Sequence, residues 1–166
     1  MAWVNSEYAN ELAVLATWLS ALMPWSFSFA SLDFGTVVVV RFLFFHIQYV
    51  LGVSFGEQEQ ILFTVLELQT FYENAQTILA QQLWLVGAVV FILALAFSIA
   101  LYLAEDRVAG ARADPVRVLG GLLLLTGLVL TGATVLLYQS FIGVAIPLGA
   151  LFLLVFGVTL LRVERA

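Results

Sequence analysis

Long apolar runs without a formal charge constrain this chain more than any other feature of its sequence. Residues 79–103 contain no Asp, Glu, Lys, Arg or His. A run of about 18 apolar residues is long enough to cross a bilayer as a helix. The whole chain is 63% hydrophobic and 10% charged, whereas soluble domains are roughly 45–50% apolar and about 25% charged. The sequence therefore predicts an integral membrane protein.

Four runs have the length and composition of transmembrane helices. Pro24 disfavours helix at the end of the first run, and Pro115 stands at the first helical position of the third, where its missing N–H costs nothing. Trp25, Trp84 and Tyr102 fall near the ends of runs, as expected of an aromatic belt at the membrane–water interface. One membrane domain over residues 1–166 is expected, mainly α, with a four-helix transmembrane bundle. The predicted spans are residues 6–25, 79–103, 115–138 and 144–161.

The segment between the first two spans has the composition of β-structure. Residues 26–31 alternate small and aromatic side chains, which is the period of a strand. Asp33 belongs to a turn sequence, SLDFG, and the residues that follow are almost all β-branched or aromatic. We expect a β-hairpin over residues 26–51 outside the bilayer, with 26–31 paired to 36–44 and strand character continuing to Tyr49.

A polar loop and an amphipathic helix are predicted over residues 53–77. The loop covers residues 53–60. Apolar residues then recur at helical spacing, with polar side chains mostly between them. This helix and the hairpin would form a cap on the bundle. The apolar positions are Ile61, Val65, Leu68 and Tyr72.

Arginine placement predicts the orientation. Five of the six arginines lie in residues 104–117 or in the C-terminal tail, and both regions flank predicted spans. The positive-inside rule then places the 104–114 loop and both termini in the cytoplasm of a multi-pass cell-membrane protein. The hairpin and the amphipathic helix would face outward.

The segment from residue 36 to 53 admits a second interpretation, as a fifth span. Arg41 argues against it, because an arginine near the centre of a membrane helix costs about 2.5–3.5 kcal/mol on insertion scales. His46 and Gln48 would raise the free-energy cost of inserting this segment further. We therefore favour four spans over five.

Charged and polar side chains in the cap form one candidate cluster: Arg41, His46, Glu67 and Glu73. Arg41 and His46 are five residues apart, so a regular strand would point them to opposite faces. We expect Arg41 to anchor the hairpin by an ion pair with Asp33, Glu67 or Glu73, and His46 to lie at the surface. A single histidine in a chain without cysteine predicts no metal site, and we expect no cofactor and no catalytic residue.

Small residues in the third span predict close helix packing. Their spacing places them on one helical face, and a small-xxx-small step lets a second helix approach closely. The face serves packing inside the bundle or contact with another copy or partner. It consists of Gly120, Gly127, Thr131 and Thr134.

Taken whole, the sequence resembles a family of uncharacterised membrane proteins from haloarchaea. The resemblance is carried by SEYANELAVLATWLSALMPWS, VVVVRFLFF, LWLVGA, YLAEDRV with DPVRVLG, and GALFLLVFGVTLLRVERA. It implies a high-salt archaeal cell membrane, in keeping with the absence of lysine and cysteine. It implies no activity.

These observations predict a non-enzymatic accessory or structural subunit of the membrane, whose external cap contacts a partner. Its expected partners are the lipid bilayer and either a further copy or another membrane protein. The net charge of −5 gives no reason to expect nucleic acid.

Two alternatives stay open. A membrane enzyme would need the four residues of the cap cluster to converge on one bond. A small transporter or channel would need a polar pore, and the absence of charge within the spans argues against it. Its lining would be Gln81, Ser98, Thr126, Thr131 and Thr134.

Overall fold

The computed structural model describes residues 8–33, 35–52, 60–67, 74–103, 114–140 and 143–163. These residues form four helices and one antiparallel sheet of five strands. The helices are α1 (Ala9–Leu22), α2 (Ala75–Leu103), α3 (Pro115–Ser140) and α4 (Leu148–Leu161). The strands are β1 (Ser26–Leu32), β2 (Gly35–Arg41), β3 (Phe45–Leu51), β4 (Gln60–Thr64) and β5 (Val144–Ile146).

Helix ends follow the local sequence signals. Before Pro24, the backbone leaves helical geometry at Met23, whose ψ of 135° is extended. At the start of α3, the Asp114 carboxylate accepts a hydrogen bond from the Val116 N–H at 3.0 Å. Pro115 therefore occupies the first helical position behind an N-cap aspartate, as the sequence predicts.

The prediction of a four-helix transmembrane bundle is wrong. Among the described residues, only α2 and α3 are long and apolar enough to cross a membrane, judged by length and composition. α1 and α4 have 14 residues each, about 21 Å at 1.5 Å per residue, against a hydrocarbon core of about 30 Å. The predicted fourth span loses its first residues to β5, and the predicted first span is limited by Pro24.

The sheet is also larger than the predicted hairpin, so the mainly α description of the fold does not hold. Its strand order is β4-β3-β2-β1-β5. A β1–β2 hairpin is present where the sequence predicts one, but the strand expected to continue towards Tyr49 breaks after Arg41 and returns as β3. Residues 60–64, assigned largely to an amphipathic helix, form β4 instead, because neighbouring strands supply the pairing that their apolar and β-branched side chains suit.

The register of the strands separates two faces of the sheet. Directly opposed residues in antiparallel strands share a face, and Ser28 pairs with both Val39 and Ala145. The inner face, which includes these three residues, carries most of the buried strand positions. The outer face is apolar and partly exposed.

Close packing joins α3 to α4 through glycines. A Cβ built at Gly127 would lie 3.0 Å from the backbone N of Leu154, and one at Gly157 would lie 2.6 Å from the backbone N of Leu124. Gly120 likewise faces Leu160. Two members of the predicted small-residue face, Gly120 and Gly127, thus lie against α4 within the same chain.

The two threonines of that face are engaged with their own helix. The hydroxyl of Thr131 donates to the carbonyl of Gly127 at 2.7 Å, and that of Thr134 donates to Leu130 at 2.9 Å. Both hydrogen bonds span one helical turn. They satisfy the hydroxyls without a second helix.

We expect Gly157→Ala to lower the free energy of unfolding by about 1–3 kcal/mol, because the added methyl meets the backbone of α3 rather than a flexible side chain. Gly121→Ala is the matched control, since a Cβ there has nothing within 4 Å. The control should be neutral or stabilising by up to about 1 kcal/mol through helix propensity. Denaturant unfolding in mild detergent measures both, and equal effects of the two substitutions would contradict the close approach.

Candidate functional site

A tight turn between β2 and β3 organises the candidate site. Within it the N–H of Phe42 donates to the carbonyl of Phe45 at 2.8 Å. Two buried tryptophans donate to the turn from outside: the Trp25 indole to the carbonyl of Phe42, and the Trp84 indole to that of Leu43, both at 2.9 Å. The carbonyls of Phe42 and Leu43 are therefore satisfied by side chains, as buried backbone groups require a partner.

Both tryptophans differ from their predicted role at a membrane interface. Trp25 and Trp84 are each 1% exposed, and their rings contact one another with centroids 5.7 Å apart. The indole N–H of each is used inside the protein. Trp84 ties α2 to the sheet through its bond to the turn.

The turn brings Arg41 and His46 together. Arg41 is the last residue of β2, His46 is the second of β3, and the two are directly opposed in the register. Opposed residues lie on the same face of an antiparallel pair. The prediction that they point to opposite faces is therefore wrong, because it assumed one uninterrupted strand.

Both side chains are buried, so the prediction of a surface histidine is also wrong. Arg41 is 3% exposed and His46 is 1% exposed. The Arg41 guanidinium donates to the hydroxyl of Ser28. The His46 ring stacks nearly parallel to Trp84, with centroids 6.1 Å apart, and meets the edge of Phe63 at 5.2 Å.

Neither imidazole nitrogen of His46 has a hydrogen-bond partner among the described residues. Burial first, and then the charge of the neighbouring Arg41, lower the pKa of His46 from 6.5 to about 4. Both causes penalise the imidazolium. At neutral pH His46 is accordingly uncharged, with one nitrogen able to donate and the other able to accept.

A cavity of about 310 Å³ lies beside this pair, between the inner face of the sheet and the ends of α2 and α3. Its size falls at the lower end of the roughly 300–1,000 Å³ typical of small-molecule sites. Its polar lining residues are Arg41, His46, Gln48, Thr77 and Ser140. Its apolar lining residues are Ala30, Leu32, Val37, Val39 and Leu137.

The alternation of residues 26–31 explains why there is space. Ser26, Ser28 and Ala30 face inward and are buried, whereas Phe27 and Phe29 face outward. Small side chains on the inner face of β1 leave a volume that the long side chains of a filled core would occupy. The same alternation that predicts a strand thus also shapes the cavity.

Asp33, one of the expected ion-pair partners of Arg41, lies far from it. It is exposed in the β1–β2 turn, at the opposite end of β2 from Arg41. The exposed Glu67 carboxylate accepts hydrogen bonds from the backbone N–H and the hydroxyl of Thr64, at 2.7 and 2.9 Å. These bonds lower the pKa of Glu67. Glu73 lies outside the described residues.

Sequence reasoning missed the helical contributors to the cavity. Thr77 lies near the start of α2 and Ser140 at the end of α3, and both line the cavity. Sequence spacing does not show that these two positions meet. Gln81 lies one helical turn after Thr77 and is 1% exposed; an amide so close to a threonine near the start of an apolar helix is the sequence signal for a polar site at that end of α2. No comparable sequence signal marks Leu137.

The arrangement can hold a small polar or anionic group. Arg41 supplies a positive charge and a fork of N–H donors, and neutral His46 adds one donor and one acceptor. Within the described residues, no three His, Cys, Asp or Glu side chains come close enough to hold a metal ion. The cavity therefore offers a cation with polar groups beside it, and the rest of its lining is apolar.

Comparison with known proteins places the chain in one family. The sequence model of a family of unknown function, DUF7549, matches residues 2–165. Since that match covers nearly the whole chain, the protein belongs to this family. No protein of curated function matches the chain.

We expect His46 to remain uncharged down to about pH 4. It is the only histidine, so a protein labelled with [15N]histidine gives imidazole signals from this residue alone. Titration of those signals should show a midpoint near 4 in the folded protein and near 6.5 in the unfolded chain. A folded-state midpoint near 6.5 would contradict the buried environment.

The sign of the effect on stability follows from the same pKa values. Between pH 6.5 and about 4 the unfolded chain binds more protons than the folded one, so this contribution to stability is present above pH 6.5 and is lost as the pH falls towards 4. Its full size is about 3 kcal/mol. His46→Gln, which cannot titrate, serves as the control and should remove this part of the acid sensitivity.

Proposed function

We propose that the protein is a non-enzymatic integral membrane protein, in which α2 and α3 cross the bilayer and the sheet lies outside it. One observation carries this proposal: the helices expose large apolar side chains outward. Leu93 on α2 and Leu128 on α3 are each 56% exposed. Contiguous exposed apolar surface of this extent is rare on soluble monomers and is typical of a face that meets lipid.

A groove between α1 and α2 adds support for lipid contact. It has a volume of about 520 Å³ and is open to the surroundings. Its lining is almost wholly apolar and includes Leu22, Leu95 and Ile99. Trp18 and Tyr102, edge to face at 5.5 Å, stand beside it. An acyl chain fits such a surface better than water does.

The arginines support an orientation for the spans. Arg117 and Arg162 flank α3 and α4 at the end away from the sheet, since α3 and α4 meet there through Gly120 and Leu160. The positive-inside rule makes this end of α2 and α3 cytoplasmic and the sheet external. The absence of lysine and cysteine supports a haloarchaeal cell membrane as its setting.

Hydroxyls inside the helical layer favour a structural role over a pore. The hydroxyl of Thr126 donates to Leu122 one turn before it, and Ser98 accepts from the Trp18 indole at 3.1 Å while donating to Leu95. Polar groups satisfied within or between helices act as packing contacts. A water-filled path would instead require them to face a channel.

Introduced cysteines should report this topology, because the natural chain has none. Ser31→Cys lies on the exposed edge of the sheet and should react with an impermeant maleimide on intact cells. Arg117→Cys should react only after the membrane is permeabilised. Both proteins should stay in the membrane after an alkaline carbonate wash. Labelling of both positions from outside, or release by carbonate, would contradict the proposal.

The outer face of the sheet supports contact with a partner. Its eleven apolar members follow from the strand register, and no residue that the register places on this face is charged. We infer that the partner is a second copy, because an uncharged apolar face meets its own copy without repulsion and closed two-fold pairs are the commonest assemblies. The members are Phe27, Phe29, Val38, Val40, Phe45, Ile47, Tyr49, Leu51, Leu62, Val144 and Ile146.

Cross-linking should detect this contact in native membranes. Val38→Cys, treated with a flexible bismaleimide, should yield a product of twice the mass of the chain. Leu93→Cys is the matched control, since Leu93 is 56% exposed on α2, and it should yield none. A product of another mass would show a different partner and overturn the second copy. No product, or equal products from both positions, would overturn the contact itself.

A further inference from the structure

We propose that the cavity beside Arg41 and His46 is a binding site for a monocarboxylate with a short apolar tail. This site goes beyond the membrane role argued above and does not depend on the assembly of two copies. Three observations carry this site: the cavity volume, the buried cation Arg41, and the buried imidazole of His46. Neither nitrogen of His46 has a hydrogen-bond partner among the described residues.

The polar end of the cavity selects the carboxylate. A guanidinium matches the two oxygens of a carboxylate in geometry and charge, and Arg41 lines the cavity while Ser28 holds one of its N–H groups. His46 is 1% exposed and lines the same wall, with both nitrogens unpartnered among the described residues. A buried polar group without a partner is costly, and a ligand oxygen that accepts from the N–H of His46 would remove part of that cost.

The apolar part of the lining selects the tail, although Gln48 lies directly opposite Val39. Val37, Val39 and Leu137 present only hydrocarbon to the space. A fully polar ligand of the same size would leave its own groups unsatisfied against these side chains. An apolar tail of several carbons is accommodated there without that cost.

The direct test follows His46 while hexanoate is added at pH 7 to the full-length, [15N]histidine-labelled protein in nanodiscs. We expect a saturable change in both imidazole nitrogen signals. Hexan-1-ol has the same tail without the charge, and it should bind at least about tenfold more weakly, a difference of about 1.4 kcal/mol. This comparison uses only the natural chain, so it does not depend on how a variant folds.

A pair of arginine variants supplies the second test. Arg41→Gln should weaken hexanoate binding by at least about tenfold, because it removes the charge at the cavity wall. Arg117→Gln is the matched control: its side chain is 60% exposed and close to Asp114, at the start of α3. The control should bind hexanoate as the natural chain does.

Tail length distinguishes two sources of the same chemistry. If the ligand is a small soluble acid, affinity should rise from butanoate to hexanoate and then stop rising at dodecanoate, when the cavity is full. If the ligand is a lipid-derived fatty acid whose tail leaves the cavity for the bilayer, dodecanoate should bind more tightly still.

Three results would overturn the site. One is a His46 signal that does not respond to hexanoate, or that responds without saturation, as simple partition into the bilayer would produce. Another is equal binding of hexanoate and hexan-1-ol. The third is an equal loss of affinity in Arg41→Gln and Arg117→Gln.

Discussion

Two indole N–H groups hold the carbonyls of the β2–β3 turn, and the rest of the structure depends on them. Trp25, which precedes the turn in sequence, donates to the carbonyl of Phe42. Trp84, which follows the turn, donates to the carbonyl of Leu43. Trp84 thereby fixes α2 against the sheet, and Trp25 links the turn to the helical layer, because its own carbonyl accepts from the N–H of Ala150 at 3.3 Å. Without these donors, a turn of three apolar residues would leave buried carbonyls unpaired, at a cost of about 1–3 kcal/mol each.

The turn also creates the electrostatic character of the inner face. By reversing the chain after Arg41, it sets a guanidinium directly opposite an imidazole, and both side chains are buried. A cation so placed is costly to desolvate and strongly favours a neutral neighbour. Small side chains on β1 keep space beside the pair open. The turn thus accounts for the charge of Arg41 beside a neutral His46, and the small side chains of β1 account for the volume.

Sequence reasoning predicted the hairpin, the apolar helices and the start of α3 at Pro115, because each depends on residues close together in the chain. It missed the β2–β3 turn, since Phe42, Leu43 and Phe44 carry none of the glycine, proline or asparagine signals of turns. It also missed β5, whose three residues pair with β1 only after the fold brings them there. For the candidate site, sequence reasoning chose Arg41 and His46 but placed them on opposite faces. Their burial depends on Trp84, Thr77 and Ser140, which lie far away in sequence.

β5 has a consequence for how the molecule is made. This strand completes the sheet beside β1, yet it follows α2 and α3 in the chain. During synthesis one edge of β1 therefore stays unpaired until both long helices have been produced. Contacts between such distant segments form slowly, and an open edge can recruit strands from other chains. β5 pairs with only three residues of β1, Phe27 to Phe29, so among the described residues the rest of that edge has no strand beside it even in the complete sheet.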